Sequence, residues 1–199
     1  MSTRQQRTLP TPNRKRLYLY VALGIVIVGA IIAVGRLSMV STIPAAATDV
    51  SKPAVLTVGQ VAPEFVVSTT NGPFDLKTSS GPTVLEVFAT WCPHCQREVP
   101  ILNVLSDKYK GKINFVSVSG SSRAGDGNSP ESQADVVSFA SQLHVSYPIA
   151  YDPDLAVAKS YLGGGFPTIV IIDKNKKISK VLEGEVAQAD LDKAIAAVL

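Results

Sequence analysis

Cysteine is scarce in this chain: its 199 residues include two, alongside two histidines, two methionines and one tryptophan. Two cysteines cannot build the multi-bridge framework of a small disulfide-stapled domain. Structural zinc sites bring a second pair of ligands, and beyond Cys92, His94 and Cys95 only His144 remains. Acidic residues are absent before Asp49, whereas Arg4, Arg7, Arg14, Lys15, Arg16 and Arg36 all precede it. The formal charge of +3 is therefore segregated, and the rest of the chain carries 13 basic against 16 acidic residues. A mildly acidic body has no electrostatic footprint for nucleic acid. No internal repeat is present.

Charge is also missing from Leu17 to Gly35, a run rich in Val, Ile, Leu and Ala. About 20 apolar residues of helix span a bilayer core, and a soluble helix is rarely apolar on every face. Tyr18 and Tyr20 stand where interfacial aromatics belong, and the preceding basic residues place the N-terminus in the cytoplasm. The reading is a cytoplasmic basic segment (1–16), a single-pass anchor (17–35), a tether (36–57) and an extracytoplasmic domain (58–199). The alternative is export followed by cleavage near Ala47, since Ala45-Ala46-Ala47 resembles a signal-peptidase site. The apolar run exceeds the usual h-region of about 7–15 residues, which favours the anchor. No cysteine lies near the run, so a lipid-modified anchor is not expected.

With 46% hydrophobic residues, the remainder suffices for one core. Phe65–Val67 and Phe74–Leu76 flank the hairpin signal Asn71-Gly72. Thr83–Ala89 reads as a strand, Pro93 to about Tyr109 as a helix stopped by Gly111, and Ile113–Ser119 as a strand. Gly120–Ser132 reads as a long, mobile loop rather than a gate. Ala134–Leu143, Asp154–Leu162 and Gln188–Leu199 read as helices; Pro148–Tyr151, Thr168–Asp173 and Ile178–Glu183 read as strands. The alternation predicts an α/β domain with βαβ crossovers, and the final β–β–α succession makes its central sheet mixed.

Both cysteines fall in Trp91-Cys92-Pro93-His94-Cys95, between a predicted strand and a predicted helix. Their spacing, one helical turn, brings the Cβ atoms to roughly 5–6 Å, within reach of a disulfide that opens and closes. The helix N-terminus favours a thiolate at Cys92, and a protonated or donating His94 adds to that. Pro93 suits an early helical position. Cys95 lies one turn deeper, as a resolving thiol. A purely structural bridge over so short a loop would restrain the unfolded chain least. Glu86 is out of place in the apolar run Val84-Leu85-Glu86-Val87-Phe88, because charges avoid cores unless used. Its bland alternative is a solvent-facing side of the strand. His144 reads as an ordinary surface or helix-end residue.

These motifs resemble thioredoxin-like proteins, and more narrowly the membrane-anchored TlpA/ResA type. The likeness spans about residues 57–199. It rests on Gly59-Gln60-Val61-Ala62-Pro63-Glu64-Phe65, Phe88-Ala89-Thr90-Trp91-Cys92, Glu98-Val99-Pro100 and Phe166-Pro167-Thr168. The resemblance implies a thioredoxin-like fold flanked by helices, with Pro167 cis and facing the cysteines. It also implies that the backbone of Phe166 pairs with an extended substrate segment, that Trp91 packs beside the site and shields Cys95, and that Glu86 assists proton transfer at Cys95. Lys176 stands where the family's hairpin turn often has Gly, so Asn175 is expected in the left-handed region.

The chemistry is thiol–disulfide exchange on protein substrates, with no cofactor or metal required. A membrane electron donor or acceptor would recycle the dithiol. The resemblance implies a reductant serving cytochrome c maturation or related thiol delivery. The Pro-His pair is instead that of DsbA-type oxidants. A thiol peroxidase lacks its expected proline and threonine setting here, and a copper-binding module would use wider cysteine spacing.

Overall fold

The computed structural model describes residues 55–199. The basic segment, the apolar run and residues 36–54 of the tether lie outside the described residues. Among the described residues no helix is long and apolar enough to cross a membrane.

Seven strands are seen there: β1 (Val66–Thr69), β2 (Gly72–Asp75), β3 (Thr83–Phe88), β4 (Asn114–Ser119), β5 (Ile149–Tyr151), β6 (Thr168–Ile172) and β7 (Ile178–Glu183). Four helices join them: α1 (Pro93–Lys108), α2 (Gln133–Gln142), α3 (Ala156–Tyr161) and α4 (Gln188–Ala196). The strands form one sheet in the order β2-β1-β5-β4-β3-β6-β7. Pairs β3/β4 and β4/β5 are parallel, with α1 and α2 as their crossovers, and the remaining neighbours are antiparallel. The sheet is mixed, as the order of elements predicts.

Side-chain alternation, period two along a strand, splits the core. Leu85, Val87, Val170 and Ile172 pack with Val157, Ala158 and Tyr161 of α3. Val84, Ile169 and Ile171 pack on the other face with Leu102 and Leu105 of α1 and Leu191 and Ile195 of α4. A third cluster joins Phe88, Cys92, Cys95 and Val99 to Val136 and Phe139 of α2. The cysteines therefore sit in a wall of the core rather than on a projecting loop.

Two local expectations are corrected. The first hairpin is displaced toward its turn, pairing Thr69 with Gly72, because Gly72 at φ 106 carries the reversal and opens β2. In the β6–β7 turn Lys176, not Asn175, takes the left-handed conformation, at φ 61. Its Nζ donates to the Ser79 carbonyl at 2.7 Å and to Ser79 Oγ at 2.9 Å, contacts that offset a backbone penalty of roughly 1–2 kcal/mol. The segment 120–132 carries internal structure: an isolated bridge joins Arg123 to Pro130, and Asp126 accepts from the backbone of Asn128 and Ser129. His144 follows the C-cap Leu143 in the left-handed conformation that commonly ends helices.

Candidate active site

β3 delivers the chain to its C-terminal edge, where Ala89–Trp91 turn and α1 begins. Cys92 is the N-cap of α1, with extended backbone (φ −78, ψ 117) and Pro93 in the first turn. A residue with an acceptor side chain is favoured at that position because the first helical N–H groups lack partners. The Cys92 sulfur fills the role, accepting from the Cys95 N–H at 3.4 Å. Both thiols are unpaired. Cys92 is 4% exposed and Cys95 fully buried, so only the first sulfur borders the surface.

The β3/β6 register pairs Val87 with Thr168. It brings the loop before β6 to the same sheet edge as the cysteines. The Phe166–Pro167 bond is cis, and the Phe166 carbonyl accepts from Cys92 Sγ at 3.6 Å. Thr168 Oγ1 donates to the Gly165 carbonyl at 2.8 Å and accepts from the Gly163 N–H, holding the loop from within. Trp91 stands beside the same loop. It is 44% exposed, meets the Phe166 ring edge-on at 5.8 Å, and donates from its indole nitrogen to Ser121 Oγ at 2.8 Å. It forms one wall of a groove of about 620 Å3 that Arg123, Leu155, Leu162 and Phe166 also line.

Behind the cysteines lie two buried carboxyls. Glu86 shares the side-chain parity of Val84 and so faces the sheet side that α1 covers. Ser117 Oγ donates to its Oε2, while Oε1 has no partner. Burial, reinforced by the charge of Glu98 and opposed by the Ser117 bond, pushes Glu86 up to about 8. Burial above all, then the hydrogen bond with Cys92, pushes the Cys95 thiol far above its ordinary range, and the Glu86 charge adds to this. Glu98, one turn beyond Cys95, is buried and accepts from the Val186 N–H at 3.1 Å. Burial pushes it up to about 7.

His94 does not hydrogen-bond to the Cys92 sulfur. Its Nδ1 lies 3.1 Å from Glu185 Oε2 and 2.8 Å from Arg97 Nη2. Only one of these can be a hydrogen bond at a time: Nδ1 donates to the carboxylate or accepts from the guanidinium. Arg97 itself grips Glu185 through Nε and Nη2, at 3.0 and 2.8 Å. Among the described residues no group of three or more His, Cys, Asp or Glu is placed to hold a metal ion.

The sequence reading missed Glu98, Glu131 and Glu185. Glu98 was visible only as part of a motif. Glu131 is buried, accepts from Thr90 Oγ1 at 2.7 Å and from Ser119 Oγ, and so buckles the 120–132 segment to the approach to Cys92. Nothing in its Gly/Ser/Asn-rich surroundings signals this.

Residues 57–197 match the Redoxin family. The thiol-disulfide oxidoreductase ResA of a Bacillus cereus strain is 30% identical over 138 residues, 68% of this chain and 75% of the relative. ResA of Geobacillus thermodenitrificans is 33% identical over 137 residues, 67% and 74% of the two chains. A thiol:disulfide interchange protein of the thioredoxin family from Chlorobium tepidum superposes with a TM-score of 0.58 at 25% identity, covering 71% of this chain and 97% of that one. StoA of Bacillus subtilis shares the fold, with a TM-score of 0.57 at 23% identity over 67% of this chain and 97% of StoA.

Proposed function

The chain belongs to the Redoxin family, and within it to the ResA-type thiol–disulfide oxidoreductases of thioredoxin-like fold; from that premise we propose that Cys92 attacks and Cys95 resolves. The single observation that carries the assignment is the placement of Cys92, capping α1 with its sulfur against the Phe166 carbonyl. In the reductive direction the Cys92 thiolate attacks one sulfur of a substrate disulfide. A mixed disulfide forms and the first substrate sulfur leaves as a thiolate. Glu86, ionised, takes the Cys95 proton. Cys95 sulfur then attacks Cys92 sulfur, expelling the second substrate thiolate and closing the Cys92–Cys95 disulfide. A membrane dithiol donor returns two electrons and two protons.

The substrate is a protein disulfide presented on an extended segment that pairs with the backbone of Phe166. Pro167 and Thr168 shape that loop, Trp91 flanks it, and Pro93 presets the first helical turn. Thiol delivery for cytochrome c maturation is the role that the ResA likeness favours. Residues 17–35 anchor the chain, with the domain outside the cytoplasm; cleavage near Ala47 would export the same domain. Cysteine labelling of intact cells with a membrane-impermeant reagent tests this, and labelling only after lysis would refute it.

A second reading, a DsbA-like oxidant, is favoured by the Pro-His dipeptide alone. The reduction potential separates the two. A value near that of thioredoxin, about −270 mV, supports the reductant; one near about −120 mV supports the oxidant. Absence of any reversible two-electron couple would refute both.

A further inference from the structure

Beside the nucleophile, three charged or chargeable side chains from two elements converge. His94 and Arg97 lie three residues apart on α1, and Glu185 comes from the short segment between β7 and α4. The first turn of α1 contains no acidic residue of its own. The positive helix end, Arg97 and His94 are thus met by one carboxylate reaching in from another element. Arg97 holds Glu185 at about 2, with His94 contributing, so this carboxylate keeps its charge at working pH. The Arg97 guanidinium also feels the charge of Cys92. Behind the sulfur, Cys95, Glu86 and Glu98 are buried with Tyr147, and on its approach Glu131 is buried against Thr90.

The electrostatics of a dithiol are asymmetric. Positive charge near the attacking sulfur stabilises the thiolate, which exists only in the reduced form, and so makes the disulfide more oxidising. A Cys-Pro-His-Cys sequence supplies that charge when the imidazole faces the sulfur. Here the imidazole faces Glu185 and Arg97.

We propose that Glu185 is a positioning residue that sets the redox poise of the Cys92–Cys95 pair, drawing the His94 ring away from the sulfur and neutralising Arg97. The pair is thereby more reducing than its Pro-His dipeptide alone would make it. This rests on the exchange reading above.

The test equilibrates the full-length chain with glutathione, in the balance dithiol plus oxidised glutathione against protein disulfide plus two reduced glutathiones. Glu185→Gln keeps the side chain's size and removes its charge. It is expected to lower the equilibrium constant for disulfide formation about fivefold, which is about 20 mV in the oxidising direction. Arg97→Gln breaks the same ion pair but removes the opposite charge, so it is expected to raise that constant at least twofold. A merely structural clamp would move both variants the same way. Glu185→Asp is expected to stay within twofold of the wild type. In a His94→Ala background the Glu185→Gln shift should fall to less than half on a logarithmic scale. The proposal is overturned if Glu185→Gln stays within twofold, if the two charge variants shift together, or if removing His94 leaves the Glu185 effect undiminished. A wild-type chain with no reversible couple would instead bring down the exchange reading itself.

Discussion

Replacing Glu86 with Gln is the sharpest test of the buried machinery. The carboxyl is 3% exposed, accepts from Ser117, and is raised by burial from 4.5 to about 8. The folded protein therefore binds a proton at neutral pH that the unfolded chain has released. The stability tied to that proton is fully present below pH 4.5 and is lost as pH rises through about 8. Each pH unit in this window costs ~1.4 kcal/mol, which bounds the whole loss at roughly 5 kcal/mol. Relaxation around the buried group reduces the observed figure. Gln has nothing to release, so its variant should be flatter over the same window. Its extra N–H groups impose an offset of roughly 1–3 kcal/mol if they find no acceptor, and the slope, not the absolute stability, is what decides. Urea unfolding of the reduced protein, followed by the fluorescence of its sole tryptophan at pH 5, 6.5, 8 and 9, measures that slope. If Glu86 also accepts the Cys95 proton, the pH dependence of mixed-disulfide resolution should lose its rise near pH 8 in the variant, and the rate should fall about 100-fold. Identical slopes for wild type and variant would refute the claim that Glu86 is held protonated.

Cys95→Ser should retain attack by Cys92 and accumulate mixed disulfides with protein substrates on non-reducing gels, while Cys92→Ser should form none. Glu98→Ala removes the acceptor of the Val186 N–H; at pH 5, where the native carboxyl is neutral, it should lower stability by about 1–3 kcal/mol, read from the urea midpoint. Gly120→Ala places a Cβ 2.6 Å from Val87 Cγ1 and 2.9 Å from Ala158 Cβ, so overpacking should lower stability by roughly 1–3 kcal/mol, and an unchanged midpoint would show that α3 yields.

Where local patterns decide structure, the sequence was explicit. The apolar run of β3, Pro93 at the start of α1 and the order of elements together predict the sheet and place both cysteines at a helix N-terminus. The out-of-place acid Glu86 is a buried one. Boundaries fared worse where a side chain overrode backbone preference: Lys176 occupies the left-handed turn position because Ser79 holds its ammonium. The partners of His94 and the burial of Glu131 were illegible for a different reason. Both depend on contacts across 91 and 41 residues of chain, which no local period encodes. The neighbours of a charged residue near a reactive group therefore had to be seen in space before its influence could be assigned.

The buckle at Glu131 has a consequence for how such a protein diversifies. The root of the 120–132 segment is fastened to Thr90 and Ser119, but its tip, around Asp126–Ser129, is exposed and bonded chiefly to itself. Gly125 and Gly127 of that tip border the groove beside Trp91. Insertions or exchanges there would remodel the groove wall that flanks the proposed substrate loop while leaving the cysteine pair where it stands. On that proposal selectivity and reactivity are separable traits of this scaffold, free to drift at different rates.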